Sequence, residues 1–315
     1  MQKSENPQVE QEISVLLFDE FSNHCLANTI EPFRAANTIA RKSLYKWTFL
    51  SLAGGTITSS SGLPVQTDAW GKNGERGDIL FVMPSYGFLG YATPRMSEIL
   101  RAALRRFATI VGLDTGAWLL AAAGLLYNRK ATIHWDEIAR FGEAFPSVDV
   151  VPDRFVLDGR VATCGGASTA FELVLDLISR DHSPMLALEV AANFMHGERP
   201  DPGHMQALKT SDAIVHRATT LMRKNMEEPL SIPDLARVLK IEQRQLEDRF
   251  RQKMDLTPAR VYKAIRLREA RRLVELTTLG IAEIATRCGY QDASAMTRAY
   301  RLEFGTAPRG HRSGN

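Results

Sequence analysis

The sequence predicts an α/β domain, with a parallel sheet between layers of helices, followed by an all-α domain. Three observations support this division. Short apolar runs alternate with helical patterns up to about residue 197. A segment with two prolines and two glycines follows, and the chain beyond it is helical, arginine-rich and without obvious strands. We therefore expect a first domain at 1–197, a linker at 198–210 and a second domain at 211–315.

In the first domain, buried strands alternate with helices. Continuous apolar runs predict strands at 13–18, 46–52, 78–84 and 108–114. Helical spacing predicts helices at 29–43, 94–107, 115–126 and from 169 to about 196. Pro32 suits the first turn of its helix, and Asp158-Gly159 between two strand-like pieces indicates a hairpin. Alternation of this kind is typical of a parallel sheet covered on both faces.

The stretch "GLDTGAWLLAAAGLL" at 112–126 predicts the end of a buried strand, a tight turn bounded by glycines and an apolar helix. Enzymes often place a nucleophile at such an elbow, because the turn exposes one side chain above a helix N-terminus. The residue at this elbow is Asp114. We expect the helix N-terminus to keep its carboxylate ionised. Asp114 either caps the helix at 115–126, contacts a ligand, or does both.

Composition argues against several classes of protein. No apolar run approaches the ~18 residues of a membrane span, and the polar start "MQKSENPQVEQE" is unlike a signal peptide. The three cysteines are widely spaced, which argues against a disulfide framework or structural zinc and fits a reducing cytoplasm. The sequence has no phosphate-binding loop and no cluster of metal ligands, so we expect neither a cofactor nor a metal.

Charge is unevenly distributed along the chain, although the net value is only +3. Residues 206–315 hold 21 lysines and arginines against 13 aspartates and glutamates, whereas the remainder holds 18 against 23. A basic C-terminal third on an acidic body indicates a module that binds a polyanion. On charge alone, a solvated helical surface is an equal alternative.

An internal repeat decides between these alternatives. "IPDLARVLKI" (232–241) matches "IAEIATRCGY" (281–290) at an offset of 49, and "FRQKMDLTP" (250–258) matches "YRLEFGTAP" (300–308) at an offset of 50. Each copy predicts a short helix with an alanine where a crossing helix approaches closely, a turn and a second helix. This is the helix-turn-helix pattern, and two copies in tandem inside a basic segment are a strong indication of DNA binding.

Residues 211–315 resemble the AraC/XylS-type DNA-binding domain, and residues 12–197 resemble the PfpI-like, class I glutamine amidotransferase-like domain. The stretches that carry the resemblance are "LEDRFRQKMDLTPARVYKAIRLREARRLV" and "IAEIATRCGYQDASAMTRAYRLEFGTAP" in the second domain, and "EPFRAAN", "GLDTGAWLLAAAGLL", "RKATIHW" and "ATCGGASTAFELVLDLI" in the first. The order of the two domains is that of the GlxA family of transcriptional regulators. The resemblance implies a flavodoxin-like first domain that senses an effector and dimerises.

The same resemblance implies a cytoplasmic, ligand-responsive regulator that binds double-stranded DNA, a small-molecule effector and RNA polymerase. It implies a homodimer, no membrane association and, by analogy, activation of catabolic genes. It also implies an effector site at the elbow, where catalytic relatives carry a cysteine activated by a nearby histidine. Since a carboxylate cannot act as a thiolate, we interpret the first domain as a sensor without enzymatic activity.

The residues expected at the effector site combine carboxylates with aromatic rings. They are Asp114, Glu31, Trp118, His134 and Trp135. Two carboxylates favour a cationic group on an amine, betaine or amino-acid-like effector, and tryptophan adds cation–π contacts of roughly 0.5–2 kcal/mol. Each has a structural alternative: Glu31 is a helix N-terminal charge, Trp118 belongs to the core, and His134 is a satisfied structural group.

Two rival functions remain for the first domain. Cys164 in "TCGGAS" also lies between a strand and a helix, and with His134 it forms a conceivable hydrolase or lyase site. No third orienting group is evident, and a small buried residue before Gly-Gly is the simpler interpretation. Alternatively, the domain is only a dimerisation platform.

The DNA-reading surface is predicted on the second helix of each repeat unit, the first of which runs from about 242 to 253. Leu246 and Phe250 point to the core in the first unit, as Met296 and Tyr300 do in the second. The residues expected to face DNA are Arg244, Glu247, Asp248 and Arg251 in the first unit, and Ser294, Thr297, Arg298 and Arg301 in the second.

Arg298 is the principal candidate for base reading, and Arg244 is the second, because arginine binds guanine O6 and N7 in a bidentate way. Asp248 stands where family members often carry arginine. It either reads a cytosine amino group or sets the rotamer of an arginine. The long helix between the units would allow one chain to cover two successive major grooves, which lie about 34 Å apart.

Overall fold

The computed structural model describes residues 10–71, 74, 76–194 and 211–312. The chain forms two compact units, Met1–His196 and Gly197–Asn315, and each is described by itself. The linker predicted at 198–210 lies outside the described residues. Among the described helices, none is both long enough and apolar enough to cross a membrane.

A central sheet of eight strands organises the described part of the first unit. Its strands are β1 (Gln11–Leu17), β2 (Tyr45–Ser51), β3 (Gly55–Thr58), β4 (Pro64–Ala69), β5 (Gly77–Met83), β6 (Phe107–Leu113), β9 (Phe155–Asp158) and β10 (Val161–Cys164). They are arranged in the order β3-β4-β2-β1-β5-β6-β10-β9. A separate short ladder pairs β7 (Lys130–Ala131) with β8 (Asp149–Val150).

The middle of the sheet is parallel, as the sequence predicts. β4, β2, β1, β5, β6 and β10 pair in parallel, with Ile13 opposite Ile79 between β1 and β5. Both edges end in antiparallel hairpins, β3–β4 and β9–β10, and the second contains the predicted turn at Asp158-Gly159. The central strands are buried on both faces, which explains why their sequences are continuously apolar.

Helices cover both faces of this sheet. They are α1 (Asn23–Ala40), α2 (Pro94–Ala103), α3 (Gly116–Ala122), α4 (Ile138–Ala144), α5 (Ala167–Asp181) and α6 (Pro184–Phe194). One apolar core lies under α1, α5 and α6, and the other lies under α2, α3 and α4. The sheet therefore separates two cores.

Several predicted helix boundaries are wrong. The helix predicted at 94–107 ends at Ala103, and Phe107 begins β6. α1 begins six residues before the predicted start at 29, because the Ser22 side chain caps it by accepting a hydrogen bond from the Cys25 N–H at 3.2 Å; Pro32 therefore lies inside the helix. The closing helix is two helices, since proline at position 184 disfavours helical backbone just before it. α3 ends at Ala122 instead of 126, and Gly124 follows in a left-handed conformation with φ 76°.

The regular secondary structure of the second unit is entirely helical within the described residues. Its helices are α7 (Ser211–Lys224), α8 (Ile232–Leu239), α9 (Gln243–Met254), α10 (Pro258–Leu276), α11 (Ile281–Arg287), α12 (Ala293–Phe304) and α13 (Pro308–His311). α8–α9 and α11–α12 are the two repeat units, and the 19-residue α10 joins them. Ala236 and Ala285, the alanines expected where helices cross, are 2% and 1% exposed.

The turn of the second repeat unit packs closely against the connection between α7 and α8. Gly289 has φ 68°, and a Cβ placed there would lie 2.4 Å from the Met226 carbonyl oxygen and 2.5 Å from Pro229 Cγ. The Arg266 guanidinium donates to the carbonyl oxygens of Cys288 and Gly289 at 2.7 and 2.6 Å. These contacts fix the second repeat unit against α10 and against the connection that precedes the first repeat unit.

Candidate effector site and DNA-reading helices

The elbow at Asp114 lies where two neighbouring parallel strands end. β5 and β6 are adjacent, so the residues after their carboxyl ends meet at one edge of the sheet, the usual place for a ligand crevice in this kind of fold. Asp114 follows β6 with φ 58°, in the left-handed region. Gly116 permits the turn, because a Cβ at that position would lie 2.3 Å from the Val82 carbonyl oxygen on β5.

The Asp114 carboxylate is held by the loop that follows β5. The Ser85 hydroxyl donates to Asp114 Oδ2 at 2.8 Å and accepts a hydrogen bond from the Ser22 N–H at 3.0 Å. The Thr115 hydroxyl donates to the Ser85 carbonyl oxygen at 2.7 Å. Ser85 itself has φ 50°, so both residues of this contact have left-handed backbone.

Burial raises the pKa of Asp114 above the ordinary value of an aspartate, and the Ser85 hydrogen bond and the charge of His134 offset this only in part. The expected stabilisation by the helix N-terminus does not outweigh burial. The residue that caps α3 is Thr115, and α3 has only seven residues. Among the described residues, the side-chain hydrogen bond of Asp114 comes from Ser85, so capping does not account for its carboxylate.

His134 and Trp135 lie beside the elbow. The His134 N–H donates to the Asp114 carbonyl oxygen at 3.1 Å, and the two rings at 134 and 135 have centroids 5.6 Å apart. Trp135 is 74% exposed. On the other side, Tyr86 follows Ser85 directly and is 63% exposed. An exposed aromatic ring thus lies next to each residue that hydrogen-bonds to Asp114, Tyr86 beside Ser85 and Trp135 beside His134.

Trp118 and Glu31 have other surroundings. Trp118 is buried, with ring centroids 5.3, 5.9 and 5.2 Å from those of Phe88, Phe141 and Phe145. This is the core position that its alternative interpretation predicts. Glu31 lies in the third turn of α1, where it is half-exposed and forms an ion pair with Arg34 at 2.6 Å. It is therefore not a helix N-terminal charge, and the described contacts do not bring it to Asp114.

Ser85 and Tyr86 are the residues at the elbow that sequence reasoning missed. A usable signal was present, since "PSYG" directly follows the apolar run of β5. Residues after adjacent parallel strands share one crevice, and the alternation of strands and helices already indicated such a sheet. Local sequence patterns do not predict the strand order, and it is this order that places β5 next to β6.

Cys164 is a poor nucleophile in its surroundings. Its side chain is fully buried, and its Sγ lies 3.0 Å from the Thr169 hydroxyl oxygen. Burial raises the pKa of the Cys164 thiol to about 11, and the Asp114 charge adds to this. Burial likewise raises the pKa of Cys25, with Asp114 and Cys164 contributing. Since the thiolate is the reactive form, neither cysteine is activated.

Both predicted pairs of core residues are confirmed on the two helices expected to read DNA, and the first of these helices has the predicted position. Leu246 and Phe250 of α9 are fully buried, as are Met296 and Tyr300 of α12. Most of the opposite face is exposed, and Glu247 and Thr297 are half-buried. The exposed members are Arg244, Asp248, Arg251, Ser294, Arg298 and Arg301.

The arginines of these exposed faces differ from those elsewhere in the unit. Arg237, Arg272 and Arg287 are engaged by carboxylates on their own helices, at 2.6, 2.7 and 2.8 Å. In contrast, Arg244 and Arg298 form no ion pair with any described residue. Their guanidinium groups are available to an external anion or base edge. Within the described chain there is no group of three side chains suited to hold a metal.

Comparison with known proteins agrees with this geometry. The DJ-1/PfpI family matches residues 11–180, and a helix-turn-helix domain matches residues 235–314. The HTH-type transcriptional regulator CdhR of Pseudomonas aeruginosa is 35% identical over 304 residues, covering 95% of this chain and 90% of CdhR. GlxA of Rhizobium meliloti is 33% identical over 305 residues, covering 95% and 94%. The chain belongs to the GlxA-type regulators of the AraC/XylS family.

Solved structures support the same assignment for this regulator. An AraC family transcriptional regulator from Pseudomonas putida has a TM-score of 0.52 at 25% identity, and covers 58% of this chain and 99% of that one. A ThiJ/PfpI family protein from Pseudomonas syringae has a TM-score of 0.54 at 20% identity, covering 76% and 95%, which supports the fold alone. The regulator is thus a transcription factor with a DJ-1/PfpI-type first unit and a DNA-binding helix-turn-helix second unit.

Proposed function

We propose that this regulator responds to a small molecule whose cationic group binds Asp114. The observation that carries the proposal is a partly buried carboxylate, fixed in left-handed backbone at the carboxyl edge of the sheet. Burying a carboxylate is unfavourable unless a cation or hydrogen bonds compensate it. Ser85 compensates in part, and an amine, betaine or amino-acid-like effector would complete the compensation.

His134 and Trp135 are the further contacts of this proposed site. The half-buried His134 packs beside Asp114, and Trp135 offers an exposed ring on which a cationic group can stack. Trp118 supports the site only from the core, and Glu31 is a weaker member because Arg34 already neutralises it.

Calorimetric titration tests the effector site. Full-length wild type and Asp114→Asn are titrated with quaternary ammonium and guanidinium compounds and with amino acids. A hydrogen bond to a charged group contributes about 1.5–3 kcal/mol, so Asp114→Asn should weaken binding by roughly ten- to a hundredfold. Asp68→Asn, which removes an exposed carboxylate from β4, is the control and should bind like the wild type. Equal affinities in all three proteins contradict the proposal.

We further propose that the first unit has no enzymatic activity. The elbow residue is a carboxylate, and burial keeps Cys164 protonated at neutral pH through its raised pKa. Iodoacetamide should leave Cys164 of the native protein unmodified, as followed by mass spectrometry of peptides. Rapid alkylation at Cys164 would favour the rival hydrolase or lyase function instead.

For the second unit we propose that α9 and α12 enter successive major grooves, with their exposed faces toward the bases. Support comes from the unpaired arginines and from the buried residues that fix which face is free. By resemblance, the regulator acts in the cytoplasm as a homodimer that contacts RNA polymerase and activates catabolic genes. The division into 1–197, 198–210 and 211–315 is part of the same proposal.

A further inference from the structure

The two DNA-facing helices are matched residue by residue. α9 and α12 each contain 12 residues, and an offset of 50 aligns them from end to end. The alignment places Leu246 on Met296 and Phe250 on Tyr300, and all four are fully buried. Because the buried residues coincide, every exposed position of one helix has a structural equivalent on the other.

The equivalent faces differ in charge. On α12 they carry Ser294, Thr297, Arg298 and Arg301, with a net charge of +2. On α9 they carry Arg244, Glu247, Asp248 and Arg251, with a net charge of zero. The sharpest contrast is at the sixth residue of each helix, where Asp248 aligns with Arg298.

The Asp248 carboxylate is exposed, and in the described structure it forms no ion pair with Arg244 or Arg251. Its neighbour Glu247 accepts a hydrogen bond from the Gln243 amide at 2.8 Å, and Asp248 has no such contact. Asp248 therefore does not set the rotamer of a neighbouring arginine. Close to DNA, an uncompensated carboxylate is repelled by phosphates, and the base-edge group that suits it is the N4 amino group of cytosine.

We propose that the two repeat units select opposite members of a G·C pair at equivalent steps of their half-sites: Arg298 selects guanine, and Asp248 selects cytosine. This rests on the proposed DNA-binding mode. The four DNA-facing residues carry a net charge of +2 on α12 and zero on α9, so the α12 face is attracted to DNA more strongly than the α9 face. The α9 face binds tightly only where a cytosine amino group is available. The first repeat unit therefore contributes more to sequence selectivity than to affinity.

Selection from a randomised operator tests this with full-length protein. Wild type should enrich cytosine at one step of the first half-site, and changing that base should weaken binding by about 5- to 150-fold. Asp248→Arg should switch the preference to guanine there, and Asp248→Asn should switch it to adenine, since asparagine pairs with adenine N6 and N7. Neither change should alter the second half-site. Asp248 is exposed, so both variants should keep the helical content of the wild type by circular dichroism.

Asp255→Asn is the matched control. It removes one carboxylate at the C-cap of α9, where asparagine suits the left-handed backbone with φ 51°, and it should leave base selection unchanged. If the wild type and both Asp248 variants select the same base at this step, this inference is wrong and the proposed DNA binding still stands. A wild type that selects no operator overturns the DNA-binding proposal as well.

Discussion

Asp114 combines an unfavourable backbone conformation with burial that disfavours its ionised side chain. The residue has φ 58°, and burial raises its pKa. A conformation of this kind is uncommon outside glycine, although aspartate tolerates it better than most residues. Outliers of this type concentrate at functional sites. Glycine would avoid both the backbone cost and the burial of a charge, so the presence of aspartate here is consistent with a binding role for the charge.

A pH-dependent stability follows from the raised pKa of Asp114. The folded state binds the Asp114 proton more tightly than the unfolded state does, so protonation stabilises the fold. This stabilisation is fully present below the ordinary pKa of aspartate, about 3.9, and is lost as the pH rises through the folded-state pKa of Asp114. Because asparagine does not ionise, Asp114→Asn abolishes this loss of stability at higher pH. Relative to the wild type, the variant should therefore gain stability from pH 4 to pH 7.

Fluorescence unfolding can measure this effect in the full chain. The four tryptophans are at positions 47, 70, 118 and 135, all in the first unit, so their emission reports that unit alone. Asp68→Asn should show no such growing difference from the wild type. A constant difference between wild type and Asp114→Asn at every pH would mean that Asp114 ionises as it does in the unfolded chain.

Sequence reasoning located Asp114 but could not describe its surroundings. The Gly-bounded turn after an apolar run is local information, and it was sufficient for the elbow. The contact between Ser85 and Asp114 spans 29 residues and depends on strand order. The inward orientation of Trp118 depends on three phenylalanines from other segments. Local patterns do not contain either fact.

Among the elements, the β6–α3 elbow depends on close backbone packing. Gly116→Ala would place a Cβ 2.3 Å from the Val82 carbonyl oxygen, so β5 or α3 must shift. Alanine gains about 1 kcal/mol in helix propensity, whereas overpacking costs about 1–3 kcal/mol or more. We expect a net loss of stability of roughly 1–2 kcal/mol in tryptophan-monitored unfolding. Gly90→Ala, with open space around its Cβ, should have little effect; equal behaviour of the two variants would refute a tight elbow.

On α12, Arg298 is exposed and free of ion pairs with the described residues, so it should contact a base directly. Arg298→Ala should relax base preference at one operator position and cost roughly 1–3 kcal/mol there. Binding to single-base operator variants measures this. A loss of the same size on every sequence would instead assign Arg298 to a phosphate.

Element boundaries show why sequence patterns predict the helices of the second unit better than those of the first. Both recognition helices are amphipathic and follow short turns, and the limits predicted for the first, about 242 to 253, hold within one residue at each end. In contrast, α1 starts at a serine cap that precedes the predicted periodic segment, and Pro32 is accommodated inside the helix. The edge hairpin β3–β4 was missed because its strands are short and largely exposed.

At the scale of the whole chain, opposite charges are segregated. Residues 206–315 have a net charge of +8, and the remainder has −5. Binding of the full chain to its operator should therefore release counterions. Its affinity should fall at least about a hundredfold between 50 and 200 mM salt, as about four phosphate contacts would produce.

A variant on each unit separates specific contacts from overall charge. Arg301→Ala should reduce the salt slope by about 1 if it contacts a phosphate. Arg105→Ala, an exposed arginine on the first unit, removes the same charge and should leave the slope unchanged. Binding that is independent of salt in all three proteins would reject an electrostatic contribution from the second unit.

The burial of every cysteine makes the chain convenient for spectroscopic labelling. Cys25, Cys164 and Cys288 are all shielded from solvent, and their raised pKa values leave them as unreactive thiols. A single Tyr86→Cys substitution would introduce a thiol at an exposed position next to Ser85, which contacts Asp114, and would leave Asp114 itself in place. A spin label or fluorophore would then attach at the effector crevice alone, without deleting any native cysteine. Its mobility or emission would report directly on whether a molecule occupies that crevice while the regulator is bound to DNA.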